Sequence, residues 1–72
     1  MQTTDILLIT VNGSPREIPA GSTVGDLLES LGLHAGLVVV EHNRAILPRD
    51  RVATTGIQSG DLFELVHFVG GG

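Results

Sequence analysis

Asp61-Leu62-Phe63-Glu64-Leu65-Val66-His67-Phe68-Val69, which runs directly into Gly70-Gly71-Gly72, is the segment on which the fold turns. It reads as a strand, and successive side chains of a strand point to opposite faces. Glu64 must reach water, so its face points outward. This sends Phe63 and Leu65 toward a core and leaves Leu62, Val66 and Phe68 beside Glu64 on the outer face. A one-residue change of register would reverse every one of these assignments. An outward Val66–Phe68 pair next to the chain end forms an exposed apolar patch, the usual mark of a partner surface. The glycines pack nothing and lose the most backbone entropy when ordered, so no fold needs three in a row. They do make a side-chain-free thread about 10 Å long when extended, with the Gly72 carboxylate at its tip as the expected reactive group. The plain alternative is a frayed terminus.

The elements upstream decide where that strand sits. Asp5 to Val11 is apolar and β-branched, a strand, and Asn12-Gly13 is the strongest two-residue hairpin signal because both positions tolerate positive φ. Ser14 to Pro19 returns as a second strand, whose two prolines cannot donate ladder hydrogen bonds and so place it at an edge. After Ala20-Gly21, Ser22 or Thr23 caps a helix over residues 23–31, with Asp26 in its first turn. Val24, Leu27, Leu28 and Leu31 form its one apolar stripe, and Gly32 closes it. Leu37 to His42 is a strand whose continuous apolar start suggests a central place. Asn43-Arg44 turns into a short strand, Ala45 to Leu47. Pro48 to Gly60 is a loop with a helical turn around Arg49 to Val52. The order β-β-α-β-β-β with one short helix is α+β. It is the β-grasp (ubiquitin-like) arrangement: a mixed five-strand sheet, first and last strands parallel neighbours, one main helix packed on one face. Residues 1–69 are expected to form a single domain and 70–72 a flexible tail.

Composition narrows the chemistry. The 72 residues carry a formal net charge of -4, and the four positive charges are all arginine: Arg16, Arg44, Arg49 and Arg51. That balance speaks against nucleic acid, which needs a basic footprint. No run approaches the roughly 18 apolar residues of a membrane span, and Met1-Gln2-Thr3-Thr4-Asp5 lacks the basic start of a signal peptide, so the expected compartment is the cytoplasm. There is no cysteine, which removes disulfides, thiolate metal sites and any persulfide held on a side chain. His34, His42 and His67 match no ligand spacing, so no metal is expected. Asp26 and Glu29 read as a solvated helix face and Arg49-Asp50-Arg51 as a surface charge cluster. No catalytic set is visible, and the chain is not read as an enzyme.

The last strand with its Gly70-Gly71-Gly72 end closely resembles the ThiS family of sulfur carriers of thiamine biosynthesis. Val40-Glu41-His42-Asn43 with Ile46-Leu47-Pro48-Arg49 also looks like that family's middle hairpin and following loop. The similarity covers nearly the whole chain beyond a few N-terminal residues, and His67-Phe68-Val69-Gly70-Gly71-Gly72 is its most specific part. The resemblance implies a defined chemistry. A ThiF-type adenylating enzyme uses ATP to convert the C-terminal carboxylate to an acyl-adenylate. A persulfide donor then replaces AMP with sulfur, and the thiocarboxylate passes its sulfur to a ThiG-type thiazole synthase. By that resemblance Gly72 carries the adenylate and then the sulfur, Gly70 and Gly71 form the thread, and Leu62, Glu64, Val66 and Phe68 are candidates for docking, with no cofactor bound to the carrier itself. Three glycines make the thread one residue longer than the minimal Gly-Gly. Lack of lysine argues against a chain-forming ubiquitin. The alternatives are a carrier for molybdopterin or another sulfur-containing metabolite, a ubiquitin-like protein modifier, and a binding module whose tail is incidental.

Overall fold

The computed structural model describes residues 5–68. Five strands form one sheet: β1 (Ile6–Val11), β2 (Ser14–Pro19), β3 (Val38–His42), β4 (Ala45–Leu47) and β5 (Leu62–His67), in the order β2-β1-β5-β3-β4. β5 is the middle strand. It runs parallel to β1, with Thr10 beside Leu62 and Val11 beside Phe63, and antiparallel to β3. β2, with its prolines, lies at one edge as expected, and three-residue β4 lies at the other. This is the β-grasp arrangement.

The one α-helix among the described residues, α1 (Val24–Ser30), is one residue shorter at each end than the expected range 23–31. Of the two candidate caps the structure selects Thr23. Its Oγ1 accepts from the Asp26 amide at 3.1 Å, and Asp26 Oδ2 accepts from the Thr23 amide at 2.9 Å, a reciprocal capping box. Ser22 is held otherwise, its hydroxyl donating to the Pro19 carbonyl. At the far end Leu31 is the cap residue and Gly32, at φ 70°, lies one position beyond. The Gly32 amide donates to Glu29 O and the Leu33 amide to Leu28 O, the paired bonds of a Schellman motif.

Seven residues make a marginal helix alone, so its stability comes from packing. Val24, Leu27 and Leu28 are buried against Ile9, Ile18, Val38, Val40, Phe63 and Leu65 of the sheet. The segment between β4 and β5 closes the core with Val52 and Ile57. It also accepts from the first turn of α1: the Val24 amide donates to Thr55 O and the Gly25 amide to Val52 O. The approach at Gly25 is close: a Cβ there would meet Ala53 Cα at 3.3 Å, a tight contact that the neighbouring backbone would have to yield to. Two single-turn 3-10 helices complete the chain. Arg49–Arg51 falls within the expected helical turn. Ala35–Leu37 was not expected; it takes Leu37 out of β3 and is capped by His34 Nδ1, which accepts from the Gly36 amide.

Candidate functional site

The register of β5 is the one the Glu64 argument predicts. Phe63 and Leu65 are buried, Glu64 is exposed and Leu62 is half-buried, while Val66 and Phe68 are 55% and 56% exposed. Facing residues of paired strands share a face, so the neighbours on this side follow from the pairing. Val39 stands opposite Val66 and Glu41 opposite Glu64, with Ile46 beyond Glu41 on β4. The Phe68 amide donates to Leu37 O at 2.8 Å, which sets exposed Leu37 beside Phe68. On β1, Ile6 and Leu8 occupy the same face at its opposite end. The face away from α1 therefore carries an apolar group, Leu37, Val39, Val66 and Phe68, where β5 ends. Next to it lies the like-charged pair Glu41 and Glu64. Gly70, Gly71 and Gly72, to which the thread and the reactive carboxylate were assigned, lie outside the described residues, as does Val69, the expected last residue of the strand.

The other end of β5 is built from groups that sequence reasoning left apart. Asp61 is buried, and its carboxylate accepts from His42 Nε2 at 2.8 Å, from the Gln58 amide at 2.9 Å and from Asn43 Nδ2 at 3.2 Å. Burial pushes this carboxyl upward, but the Gln58 amide, His42 and Asn43 outweigh it and hold it below the usual aspartate range. The His42 ring stacks on Phe63 with centroids 4.7 Å apart. Asn43 also uses its backbone amide to reach Leu62 O at 2.8 Å, and its Oδ1 accepts from the Leu62 amide at 2.9 Å. Asp61 is thus a structural anchor at the foot of the tail-bearing strand. The sequence predicts Asp61 as the first residue of the strand, whereas β5 begins at Leu62 and Asp61 precedes it; no local signal marks it as an anchor.

The three histidines have separate places. His42 pairs with Asp61, His34 caps a 3-10 turn, and His67 ends β5. Among the described residues no three metal-ligating side chains converge. Asp26 serves the helix cap, and Glu29 is exposed. No helix among the described residues is long and apolar enough to cross a membrane.

Comparison with known proteins bears directly on this arrangement. The family model described as the ThiS family matches residues 9–72. The chain is 42% identical over 50 residues to a Bacillus subtilis protein named sulfur carrier protein ThiS, an alignment covering 69% of this chain and 76% of that one. It is 41% identical over 64 residues to a thiazole synthase of Magnetococcus marinus, where the match takes in 89% of this chain but only 20% of the larger protein. Among solved structures it superposes on a crystal structure of the thiamine biosynthesis protein ThiS from Geobacter metallireducens with a TM-score of 0.73 and 36% identity, covering 92% of this chain and all of the other. A match running through the β5 segment to the last glycine, together with the same fold at this level of identity, leads to one conclusion: the chain belongs to the ThiS family.

Proposed function

We propose that this chain is a sulfur carrier of thiamine biosynthesis that works as the substrate of its partners rather than as a catalyst. The observation that carries this reading is the family match through residue 72, joined to an open apolar sheet face at the point where β5 ends. A C-terminal carboxylate is ionised at neutral pH, with a pKa of about 3.5. It is nucleophilic enough to attack the α-phosphorus of ATP but cannot itself accept a sulfur nucleophile. A ThiF-type enzyme supplies ATP and expels pyrophosphate, leaving an acyl-adenylate on Gly72. A persulfide donor displaces AMP to give a mixed acyl disulfide. A thiol then attacks the donor's sulfur, forming a disulfide with the donor and releasing the thiocarboxylate, which delivers sulfur to a ThiG-type thiazole synthase.

In this scheme residues 5–68 supply a rigid root and a docking face, and Gly70-Gly71-Gly72 reach into the partner's site because no side chain widens them. Leu62, Glu64, Val66 and Phe68 form the docking strip. The same partners would meet the carrier in turn in the cytoplasm, each reading the same face. The likeness to part of a thiazole synthase supports that enzyme as one of them.

The test is the intact mass of the protein after incubation with ATP, an activating enzyme and a sulfur source, with mapping of the C-terminal peptide. Exchange of one carboxylate oxygen for sulfur adds about 16 Da, nominally equal to oxidation of Met1, so the increment must be located. ATP-dependent gain on Gly72 is the expected result. No gain there, with enzyme and donor active on another carrier, overturns the proposal.

A further inference from the structure

The parallel pairing of β1 with β5 continues past the point where β1 itself turns away. The Thr10 amide donates to Asp61 O at 3.0 Å and the Asn12 amide to Phe63 O at 2.9 Å, one rung every second residue of β5. The next rung belongs to Leu65, but Asn12 and Gly13 form the β1–β2 turn, at φ 50° and 82°, and the backbone has left the sheet. The Asn12 side chain takes its place. Oδ1 accepts from the Leu65 amide at 2.7 Å and Nδ2 donates to Leu65 O at 3.3 Å. A side-chain amide has the same donor and acceptor as a peptide group, so it serves as one more residue of β1.

Beyond this rung the two sides of β5 differ. Toward β3 the strand is held as far as Phe68, whose amide meets Leu37 O. Toward β1 the next groups in line are the amide and carbonyl of His67, and among the described residues no part of β1 stands opposite them. We infer that Asn12 is a positioning residue: its amide fixes where β5 is released on its β1 side, and so positions the end of the strand from which the chain continues to Gly72. The consequence for activation of the tail rests on the carrier reading above, whereas the hold on Leu65 does not.

Asn43 provides a control of similar turn geometry at the other end of β5, its Nδ2 donating to Asp61 rather than to a strand carbonyl. It too has positive φ, 52°, in a two-residue turn, and its Oδ1 accepts from a β5 amide, but at Leu62 and away from the tail. Asn12→Gly and Asn43→Gly each keep the left-handed backbone and remove one amide. Hydrogen exchange is followed at Leu65, normalised to the core helix amide of Leu27, and ATP-dependent adenylation is followed at varied carrier concentration. Asn12→Gly is expected to speed Leu65 exchange about tenfold beyond any change at Leu27. It should lower kcat for adenylation by about tenfold through misplacement of the carboxylate, leaving KM nearly unchanged because the open face is intact. Asn43→Gly should leave normalised Leu65 exchange and kcat near the wild-type values. Asn12→Asp, which retains an acceptor for the Leu65 amide but loses the donor, should fall between and serves if the glycine variant does not fold. Leu65 exchange that merely follows Leu27, an unchanged kcat, or an equal loss of kcat in Asn43→Gly overturns the inference. If the wild-type protein is not adenylated at all, the carrier reading falls, and the exchange comparison alone decides whether Asn12 holds the strand.

Discussion

The two ends of β5 are held in opposite ways. At its start, Asp61 gathers His42, Asn43 and the Gln58 amide, and His42 in turn lies flat on Phe63. At its finish, β3 and one asparagine side chain hold it, and among the described residues nothing covers the outward side chains Val66 and Phe68. Under the proposed function, in which the carrier's reactive group is its own terminus, both conditions are needed. A firm root fixes where the thread begins, and an uncovered end lets a partner engage it. The price of the uncovered end is exposed apolar surface, which a lone domain ordinarily avoids.

If this contrast is right, substitutions should cost folding stability in the order of their distance from the anchored end. Phe63→Ala empties a fully buried site and removes the surface on which His42 stacks. It should cost about 3–5 kcal/mol, close to the whole stability of so small a domain, read as the urea midpoint. A loss below about 1 kcal/mol would mean that the root is not where the fold is held.

Asp61→Asn should cost about 1–3 kcal/mol, since it sets an amide donor against groups that were donating to a carboxylate. The pH dependence gives a sharper form. The folded-state pKa of Asp61 lies below its unfolded value. Its contribution is therefore complete above the unfolded value of about 3.9 and is lost as pH falls through the folded one. Urea midpoints measured from about pH 5 down to pH 2.5 should drop more steeply for the wild type than for Asp61→Asn. Parallel curves would show that the network does not favour the charged form.

Glu64→Gln should have the reverse sign. Glu64 faces Glu41 across the ladder, and relief of like charges in a cross-strand pair is worth about 0.2–1 kcal/mol. Phe68→Ser should alter stability least, within about 0.5 kcal/mol, because the side chain is already exposed. Under the proposed function its effect belongs to docking, where loss of an apolar anchor should weaken capture by the proposed activating enzyme by about tenfold. A Phe68→Ser protein that is activated as readily as the wild type would remove the apolar end of β5 from the docking surface.

Much of this molecule was legible in its sequence because the signals are local. The prolines of Ser14 to Pro19 lack amide donors, so β2 is an edge strand wherever the sheet goes. Glu64 orients β5 because a carboxylate among alternating apolar residues must face water, and its neighbours follow by period two. Ser22-Thr23, Asp26, the apolar stripe from Val24 to Leu31 and Gly32 announce a helix and its ends, and the structure chose Thr23 as the cap.

Tertiary structure alone decided which distant polar groups meet. Asn12 reaches a residue 53 positions along the chain and His42 one 19 positions along, separations set by strand order and register. As a sequence, Asn12-Gly13 announces only a turn; that its amide completes the β1–β5 ladder requires β5 to lie beside β1 with Leu65 one rung past Phe63. Asp61 becomes an anchor only because the β3–β4 turn and Gln58 converge on it. Glu41 and Glu64 become a like-charged pair only in the observed register. Local pattern fixes which face of an element is buried, since that depends on the period of its own side chains. The partners of a polar group depend on which elements become neighbours, and that is settled when the whole chain closes its core.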